Sequence, residues 1–347
     1  MKKNILVLDD SALMRRVLSD IINKTEEYHV AFEASNGIEG LEVIERNHVD
    51  MILLDMHMPR MNGVEFLRFL KESGIHIPVV IISGYSKRDT KDTIEALSLG
   101  AIEFVRKPEN ILRDREFFEM MILDSLKYSV LSQIEIPSEL VEHKTRTVTK
   151  KAVDTNSVLV AIACSTGGPK TLQELIPMLP ADLAAPVTVV QHMPAGFTKS
   201  LADRLNQLSS IKVKEAEDNE VLENGTVYVA KGGKHLTIVP WLNEHRIAFS
   251  DAPPVNGLRP CANHMYVSLE HCNYQKIVCV VLTGMGADGT DGILQLNSSK
   301  PIHVIAQDAA TSTIYGMPRA IAEAGMADEI KPLGEIAEAI IRQVGVQ

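Results

Sequence analysis

The chain has 347 residues, 45% of them hydrophobic and 23% charged, which is typical of a soluble globular protein of about two domains. Its net charge of −10 argues against nucleic-acid binding, because affinity for a phosphate backbone comes from clustered Lys and Arg. The 4 cysteines form no Cys-x-x-Cys pair, so no zinc site or redox motif is indicated and a reduced, cytoplasmic setting fits. No run of about 18 apolar residues is present and the apolar run after Lys3 is too short for a signal peptide, so we expect no membrane insertion.

Short apolar runs alternate with amphipathic helical patterns over the first third of the chain. This alternation predicts a parallel five-stranded sheet with helices on both faces. The runs are Ile5–Leu8, Val30–Glu33, Met51–Leu54, Val79–Ile82 and Ile102–Val105. Ligands of such sheets bind outside the carboxyl ends of the strands, so the residues that follow each run are candidates for a site.

Polar residues suited to a metal ion and a phosphoryl group follow four of these runs. Asp9 and Asp10 follow the first run, Asp55 the third, Ser83 the fourth and Lys107 the fifth. Three neighbouring carboxylates repel one another unless a cation lies between them, and oxygen ligands suit Mg²⁺. Asp55 would then attack a phosphoryl group whose oxygens are held by the metal, Lys107 and Ser83. A single charge at a strand end is common, but such a set in register favours a site.

With these residues in place, the segment 1–122 resembles the receiver domain of two-component response regulators. The resemblance rests on the motifs Asp9-Asp10, Asp55, Met58-Pro59, Gly63, Ser83 and Lys107-Pro108. Asn62 stands where the family frequently has Asp, but it lies outside the cluster.

The resemblance implies a flavodoxin-like fold and several residue roles. Asp55 would be the phosphoacceptor, and Asp10 and Asp55 would ligate Mg²⁺ with help from Asp9 and the carbonyl of His57. Phe104 would be the aromatic residue that moves on activation, although a buried strand aromatic is an equally good interpretation.

The alternation of strands and helices stops after about residue 122. Residues 129–140 predict one or two short helices, and the basic stretch 143–151 has no apolar period and indicates a flexible linker. We therefore expect a receiver domain at 1–122, a linker at 123–155 and a second domain at 156–347. No basic helix-turn-helix pattern follows the linker, which disfavours a DNA-binding regulator.

The strand–helix alternation resumes at Val158 and predicts a second, Rossmann-like, doubly wound α/β domain. Three short alternating runs predict an inserted region of antiparallel hairpins: Thr226–Ala230, His235–Val239 and Arg246–Ser250. The other elements are strands at Val158–Ala163, Pro186–Gln191, Lys276–Leu282 and His303–Ala306, and helices at Phe197–Gln207 and Leu333–Val344.

Ser165 lies on the sharp turn between the first of these strands and a helical pattern. Its hydroxyl and the N–H groups of the helix start would face the same space, as in a nucleophile elbow. The pentad Ala163–Gly167 lacks the first Gly of the usual G-x-S-x-G pattern, so on its own a plain turn is the better interpretation.

His192 and Asp288 also follow apolar runs. If the three strands are parallel neighbours, both residues share one edge with Ser165, and His192 would act as base with Asp288 fixing its tautomer. Met285 lies in a Gly-flanked turn where its backbone would border the substrate, although a simple glycine-rich turn is the stronger interpretation. Three other histidines lie near strands or helices but lack this strand-end position: His235, His264 and His303.

Cys164 is an alternative nucleophile next to Ser165. Side chains alternate along a strand, so Cys164 should point away from the Ser165 side. We interpret the remaining cysteines as buried packing residues.

Four motifs of the second domain resemble the bacterial chemotaxis protein-glutamate methylesterase (CheB) family. They are Ser165–Pro169, Gln191-His192-Met193, Leu282–Gly289 and Gly316–Arg319. Ala163 and Cys164 replace commoner small residues, and we expect a tighter turn rather than loss of activity. The order Ser, His, Asp and the absence of an HGGG-type motif disfavour an ordinary lipase.

The resemblance implies a phosphorylation-activated serine esterase that demethylates glutamate methyl esters on methyl-accepting chemotaxis receptors and also deamidates glutamines. Ser165 would be the nucleophile, His192 the base and acid, and Asp288 its orienter, while backbone N–H groups near Thr166 and Gly167 would stabilise the oxyanion. The esterase chemistry would need no cofactor.

The implied partners are the receptors as substrate and the chemotaxis histidine kinase as phosphodonor, with the chain a cytoplasmic monomer.

We hypothesise that the unphosphorylated receiver covers the Ser165 edge and that phosphate on Asp55 loosens this contact. Two alternatives stay open: an acyl hydrolase acting on another ester, and a non-enzymatic, receiver-controlled adaptor.

Overall fold

The structure is a computed structural model that describes residues 2–84, 86–108, 110–111, 113–131, 158–242 and 244–346. Its contacts divide the chain into two compact units, Met1–Ile134 and Glu135–Gln347. Each unit has its own parallel sheet and its own hydrophobic core, which confirms the predicted fold class. No helix within the described ranges combines the length and the apolar run that a membrane span requires.

The first unit is a five-stranded parallel sheet in the order β2-β1-β3-β4-β5. Its strands are apolar because helices cover both faces, and β3 and β4 are buried along their whole length. The elements are β1 Lys3–Leu8, α1 Ala12–Ile22, β2 Tyr28–Ala34, α2 Gly37–Arg46, β3 Met51–Asp55, α3 Gly63–Glu72, β4 Val79–Ser83, α4 Lys87–Leu99, β5 Glu103–Arg106 and α5 Arg115–Leu131.

Helix α5 continues past the predicted end of the receiver at residue 122. It does so because Phe118, Ile122 and Leu126 recur every fourth residue and are all buried in the core of the first unit. Ser129, predicted to begin a separate helix, is therefore part of α5. Residues 132–157, which include most of the predicted linker and the basic stretch, lie outside the described residues.

The second unit is a seven-stranded parallel sheet in the order β14-β13-β12-β6-β7-β9-β8. A separate two-stranded antiparallel hairpin, β10-β11, is also present. The elements are β6 Val158–Cys164, α6 Gly168–Leu175, β7 Val187–Gln191, α7 Phe197–Leu208, β8 Lys212–Glu215, β9 Thr226–Val229, β10 His235–Trp241, β11 Glu244–Ser250, α8 Ala262–Ser268, β12 Lys276–Val281, α9 Thr290–Asn297, β13 Ile302–Gln307, α10 Met317–Glu323, β14 Glu329–Lys331 and α11 Leu333–Val344.

The prediction of an inserted hairpin is confirmed for β10 and β11 but is wrong for β9. Strand β9 pairs in parallel with β7 and β8 and belongs to the main sheet. Its alternation of Thr and Tyr with Val is not an inside–outside pattern, since all four of its residues are buried. The Tyr228 hydroxyl is satisfied in the interior: it donates to the Val221 carbonyl and accepts from the Glu223 N–H.

Two strands escape sequence-based prediction, and both lie at the edges of the sheet. Strand β8 is KVKE with one buried residue, and β14 is the tripeptide EIK with none. Edge strands carry charged, half-exposed side chains and so lack the apolar run that reveals a central strand.

Candidate active site and phosphoacceptor site

Strands β12, β6 and β7 are neighbours at the centre of the second sheet. In the register Val281 pairs with Ala163, and Cys164 pairs with Gln191. The loops that follow these strands therefore emerge side by side at the carboxyl edge. This confirms the parallel arrangement on which the grouping of Ser165, His192 and Asp288 depended.

The backbone of Ser165 is fixed by three hydrogen bonds. Its N–H donates to the Thr283 carbonyl at 3.0 Å, and its carbonyl accepts from the Gly168 N–H at 2.7 Å and from Gln191 Nε2 at 3.0 Å. Gln191 is itself buried at the end of β7. The backbone of the turn thus has little freedom to move, which fixes the point from which the serine side chain projects.

The N–H groups of Thr166 and Gly167 donate to no acceptor among the described residues. Gly167 is the N-cap of α6 and has a φ of 78°, a left-handed conformation that favours glycine. These two N–H groups are therefore free for a negative oxygen beside Ser165.

A buried polar network below the turn holds this backbone in place. The Thr283 hydroxyl donates to the Thr166 carbonyl at 3.0 Å and accepts from the Ile314 N–H at 2.9 Å. The Thr283 N–H donates to Gln307 Oε1 at 2.8 Å, and Gln307 Nε2 donates to the Thr311 carbonyl. Polar groups this deep are costly unless satisfied, so the network fixes the position of the turn relative to the 311–314 loop.

His192 and Asp288 form a close pair. Nε2 of His192 lies 2.7 Å from Oδ2 of Asp288, and the two side chains are only 7% and 6% exposed. Burial alone would raise the pKa of Asp288, but hydrogen bonds and the charge of His192, with further donors, lower it to about 2. Asp288 is therefore a carboxylate that only accepts hydrogen bonds, which requires a proton on Nε2 of His192.

Asp288 receives three further donors from one segment. The N–H groups of Ala262 and Asn263 lie 2.6 Å from Oδ2 and 3.1 Å from Oδ1, and the Cys261 thiol lies 3.1 Å from Oδ1. The Asn263 side chain in turn accepts from the N–H groups of Gly289 and Gly292, which follow Asp288 in the chain. The segment 261–263 thus binds both the Asp288 carboxylate and the backbone that follows it, which fixes the orientation of the carboxylate toward His192.

The alternative candidates are engaged elsewhere. Cys164 is buried with its Sγ toward the Val190 carbonyl, and burial raises the pKa of its thiol, so it is not an activated nucleophile. His303 pairs with Glu329. His235 stacks on His264 with ring centroids 4.2 Å apart and contacts the Pro253 carbonyl.

Met285 is 47% exposed in the loop after β12, beside the serine turn. The adjacent Gly284 lies against the nucleophile: a Cβ there would be 2.8 Å from Ser165 Cβ and 2.4 Å from Met317 Sδ. Gly284 also accepts hydrogen bonds from the N–H groups of Gly316 and Met317. The Gly284–Met285 peptide therefore forms one wall of the space next to Ser165.

The first unit gathers its predicted cluster at the carboxyl edge of its own sheet. Carboxylate oxygens of Asp9, Asp10 and Asp55 lie within 4.8 Å of one another. Lys107 Nζ is 2.8 Å from both Asp9 and Asp55. This all-oxygen set with one exposed member fits Mg²⁺, which keeps part of its water shell.

The pKa values of Asp55 and Lys107 are both raised, for different reasons. Burial raises the pKa of Asp55 to about 6, Lys107 opposes this shift, and the charges of Asp9 and Asp10 add to it. Burial favours the neutral amine of Lys107, but the carboxylates of Asp55 and Asp9 outweigh it and raise its pKa. A cation between the aspartates would relieve their mutual repulsion.

Ser83 and Phe104 lie on the neighbouring strands. The fully buried Ser83 hydroxyl accepts a hydrogen bond from the Thr93 hydroxyl of α4 at 2.7 Å, and among the described residues it forms no bond to Asp55. Phe104 is buried in β5. The His57 side chain pairs with Asp89 at the start of α4, and the role predicted for its carbonyl stays a prediction.

Comparison with known proteins bears directly on this geometry. The sequence model of the CheB methylesterase family matches residues 160–340, and that of the response regulator receiver domain matches residues 5–115.

The chain belongs to the CheB methylesterase family.

Full-length relatives of this family are similar over nearly the whole chain. A protein-glutamate methylesterase/protein-glutamine glutaminase of Oceanobacillus iheyensis is 39% identical, with 99% of each chain covered. One of Geobacillus kaustophilus is 40% identical, with 98% of each chain covered. Among solved structures, the CheB methylesterase catalytic domain of Thermotoga maritima is 40% identical with a TM-score of 0.52, covering 54% of this chain and 98% of that one.

Four residues that shape this CheB-type site were not singled out for a role by sequence analysis: Gln191, Cys261, Asn263 and Thr283. Gln191 and Thr283 lie inside the family motifs. Each is a polar residue at the end of an apolar strand, and that position could have identified them from the sequence. Cys261 and Asn263 gave no signal, because their contacts with the Asp288 loop join segments that are 25 or more residues apart.

Proposed function

We propose that this chain is a phosphorylation-activated serine esterase that hydrolyses glutamate methyl esters on chemotaxis receptors and deamidates receptor glutamines. The observation that carries the proposal is the buried His192–Asp288 pair at the strand end next to Ser165. The full-length relatives named as glutamate methylesterases and glutaminases support the substrate class.

In the first half of the reaction, Ser165 Oγ attacks the ester carbonyl carbon while His192 takes the hydroxyl proton. The carbonyl oxygen becomes negative and accepts hydrogen bonds from the Thr166 and Gly167 N–H groups. Each such donor lowers the barrier by about 3 kcal/mol. The C–O bond to the methoxy group then breaks, and methanol departs with the proton from His192.

In the second half, a water molecule attacks the acyl-Ser165 ester while His192 takes its proton. Ser165 Oγ leaves, recovers that proton, and free glutamate is released. For a glutamine side chain the first leaving group is ammonia and the remaining steps are the same. Asp288 keeps the imidazole oriented and stabilises its positive charge throughout, without taking up a proton.

We further propose that Asp55 is the phosphoacceptor. Its carboxylate oxygen forms a bond to phosphorus while the bond to the donor breaks, and Lys107 contacts the incoming phosphoryl oxygens. Mg²⁺ would be held by Asp9, Asp10 and Asp55 and, when bound, neutralises the charge of the phosphoryl group. The arrangement of Lys107 between Asp9 and Asp55 supports this role.

The proposed partners are methyl-accepting receptors and a chemotaxis histidine kinase, in the cytoplasm. The free, buried state of all four cysteines is compatible with a reducing compartment. A monomeric state and the division into receiver 1–122, linker 123–155 and esterase 156–347 stay predictions. So does the cover of the Ser165 edge by the unphosphorylated receiver.

The deciding experiment is methanol release from methylated receptor membranes, with and without acetyl phosphate and Mg²⁺. We expect wild type to release methanol faster with the phosphodonor, Ser165→Ala to release none, and Asp55→Asn to show a basal rate that acetyl phosphate does not change. Retained release by Ser165→Ala would refute the serine mechanism. Turnover of simple esters without turnover of methylated receptor would point to a different ester substrate.

A further inference from the structure

Cys261 is a buried cysteine whose thiol touches the carboxylate of the proposed triad. Its Sγ lies 3.1 Å from Asp288 Oδ1 and the residue is 1% exposed. Burial, with the neighbouring charge of Asp288, raises the pKa of the Cys261 thiol to about 12. The sulfur is therefore protonated near neutral pH and is the donor in this contact.

The four donors to Asp288 are divided evenly between its two oxygens. Oδ2 accepts from His192 Nε2 and from the Ala262 N–H, and Oδ1 accepts from the Asn263 N–H and the Cys261 thiol. The carboxylate would rotate about its Cβ–Cγ bond if Oδ1 were loosely held. Such a rotation would move Oδ2 out of line with the imidazole.

The other buried cysteines make different contacts. Cys272 has the same burial as Cys261, but its Sγ donates to the carbonyls of Ile238 and Ser268. Cys164 likewise contacts a backbone carbonyl. Among the cysteines, a bond to a carboxylate is thus particular to Cys261 within the described residues.

We propose that Cys261 is a positioning residue for the esterase: its S–H holds Oδ1 of Asp288 so that Oδ2 stays aligned with His192. The inference rests on the proposed function, since it assigns a role within the same triad. It gives Cys261 a role beyond the packing that the sequence suggested. The thiol acts on the reaction through Asp288 and His192 and does not touch the substrate.

Loss of the thiol donor weakens the hold on one oxygen of the carboxylate. Oδ1 of Asp288 then keeps only the Asn263 N–H, and the carboxylate can turn so that Oδ2 leaves the line of the His192 Nε2–H bond. The titratable and charged groups that face this pair are Cys261, Tyr266, His235, the stacked His264 and, beyond them, Arg259.

The test compares Cys261→Ala, Cys261→Ser and the control Cys272→Ala in the full chain with acetyl phosphate and Mg²⁺. For Cys261→Ala we expect kcat on methylated receptor to fall about five-fold with little change in KM. Cys261→Ser keeps a hydroxyl donor and should stay within about two-fold of wild type.

The control separates positioning from packing. Cys272→Ala should lower the midpoint of urea unfolding as Cys261→Ala does, but leave kcat unchanged. The proposal would be overturned by wild-type kcat in Cys261→Ala, by Cys261→Ser being as impaired as Cys261→Ala, or by an equal fall of kcat in Cys272→Ala.

A substrate-independent readout keeps the proposal testable if the esterase assignment fails. The downfield proton resonance of the His192 Nε2–H bond reports its alignment with Asp288 whether or not any ester is cleaved. We expect it to move upfield in Cys261→Ala and to return in Cys261→Ser. Absence of methanol release by wild type would refute the proposed function, whereas an unmoved resonance in Cys261→Ala would refute the role of Cys261.

Discussion

His192 meets Asp288 through Nε2, which lies 2.7 Å from the carboxylate Oδ2. In the proposed mechanism Nδ1 is therefore the ring nitrogen left to take the proton of Ser165. The ring would then be used in the opposite sense to a triad in which Nδ1 faces the acid and Nε2 the serine. The orientation matters because it decides which tautomer is the active base.

The first prediction concerns that tautomer. Because the Asp288 carboxylate can only accept, the resting enzyme should carry its imidazole proton on Nε2 and leave Nδ1 bare. Nitrogen-15 NMR of the His192 side chain at pH 8 checks this directly. In Asp288→Asn the preference should weaken and kcat should fall by about 10³- to 10⁴-fold. A proton on Nδ1 in wild type would contradict the proposed direction of proton transfer.

The second prediction concerns the close approach of Gly284 to the nucleophile. The methyl group of Gly284→Ala would meet Ser165 Cβ at 2.8 Å and must displace the serine turn. We expect kcat to fall about 100-fold, since a small misplacement of a reacting group has an effect of this size. Gly334→Ala is the control, because a Cβ there meets nothing within 4 Å. Wild-type kcat in Gly284→Ala would show that the turn is not confined by this contact.

The third prediction concerns the Thr283 hydroxyl. Thr283→Val leaves the Thr166 carbonyl and the Ile314 N–H buried without this partner, at a cost in unfolding free energy of about 1–3 kcal/mol. Loss of the bond also frees the Thr166–Gly167 backbone, so kcat should drop about ten-fold with KM little changed. Thr237→Val removes a hydroxyl bond to the Ala248 carbonyl in the hairpin and should leave kcat unaltered. An equal loss of kcat in both variants would indicate a general effect of destabilisation.

The fourth prediction concerns pH. The pKa of Asp288 is about 2, so the carboxylate stays ionised across the range in which activity is measured. Protonation of Asp288 should therefore not contribute to the acid limb of kcat/KM, which we expect to fall no more than ten-fold per pH unit. A pH series with a simple ester or methylated receptor measures the slope. A slope of two would mean that more than one group titrates in this range, as it would if Asp288 were protonated there.

The fifth prediction concerns the receiver. The Ser83 hydroxyl accepts a hydrogen bond from the Thr93 hydroxyl at 2.7 Å, and we expect this bond to hold Ser83 Oγ toward α4 and away from a phosphoryl group on Asp55. Thr93→Val removes that competing bond, so half-maximal activation should occur at about five-fold less acetyl phosphate. Ser83→Ala loses the contact with the phosphoryl group altogether and should need more acetyl phosphate for half-maximal activation. An unchanged activation curve for Thr93→Val would show that the bond does not oppose activation.

Much of the fold follows from the sequence because central parallel strands are buried on both faces. All seven residues of β6 are buried, and its apolar run is plain. Strand β14 has no buried residue and is recognised only by its pairing with β13. Strand β9 shows the opposite error, since the polar atoms of Thr226 and Tyr228 made a buried strand resemble a half-exposed one.

The residues proposed for chemistry were easier to find than those that support them. Ser165 and His192 each lie where an apolar run and its strand end, and that change from apolar to polar can be recognised in the sequence. Cys261 follows no strand and precedes Asp288 by 27 residues, so nothing local distinguishes it from a packing cysteine. Its proposed role depends on the start of α8, in the segment between β11 and β12, lying against Asp288.

The burial of Cys164, Cys261, Cys272 and Cys279 gives the native chain a surface without thiols. Maleimide dyes should then react only when the fold opens, so the rate of dye uptake measures opening. Because the native cysteines do not react in the folded chain, an introduced surface cysteine would be a single attachment point for a dye. A cysteine placed at Leu242, which is 88% exposed, and another at the exposed Glu72 would each accept a fluorophore without prior removal of the native residues. Energy transfer between the two dyes would follow the separation of the two domains as acetyl phosphate is added.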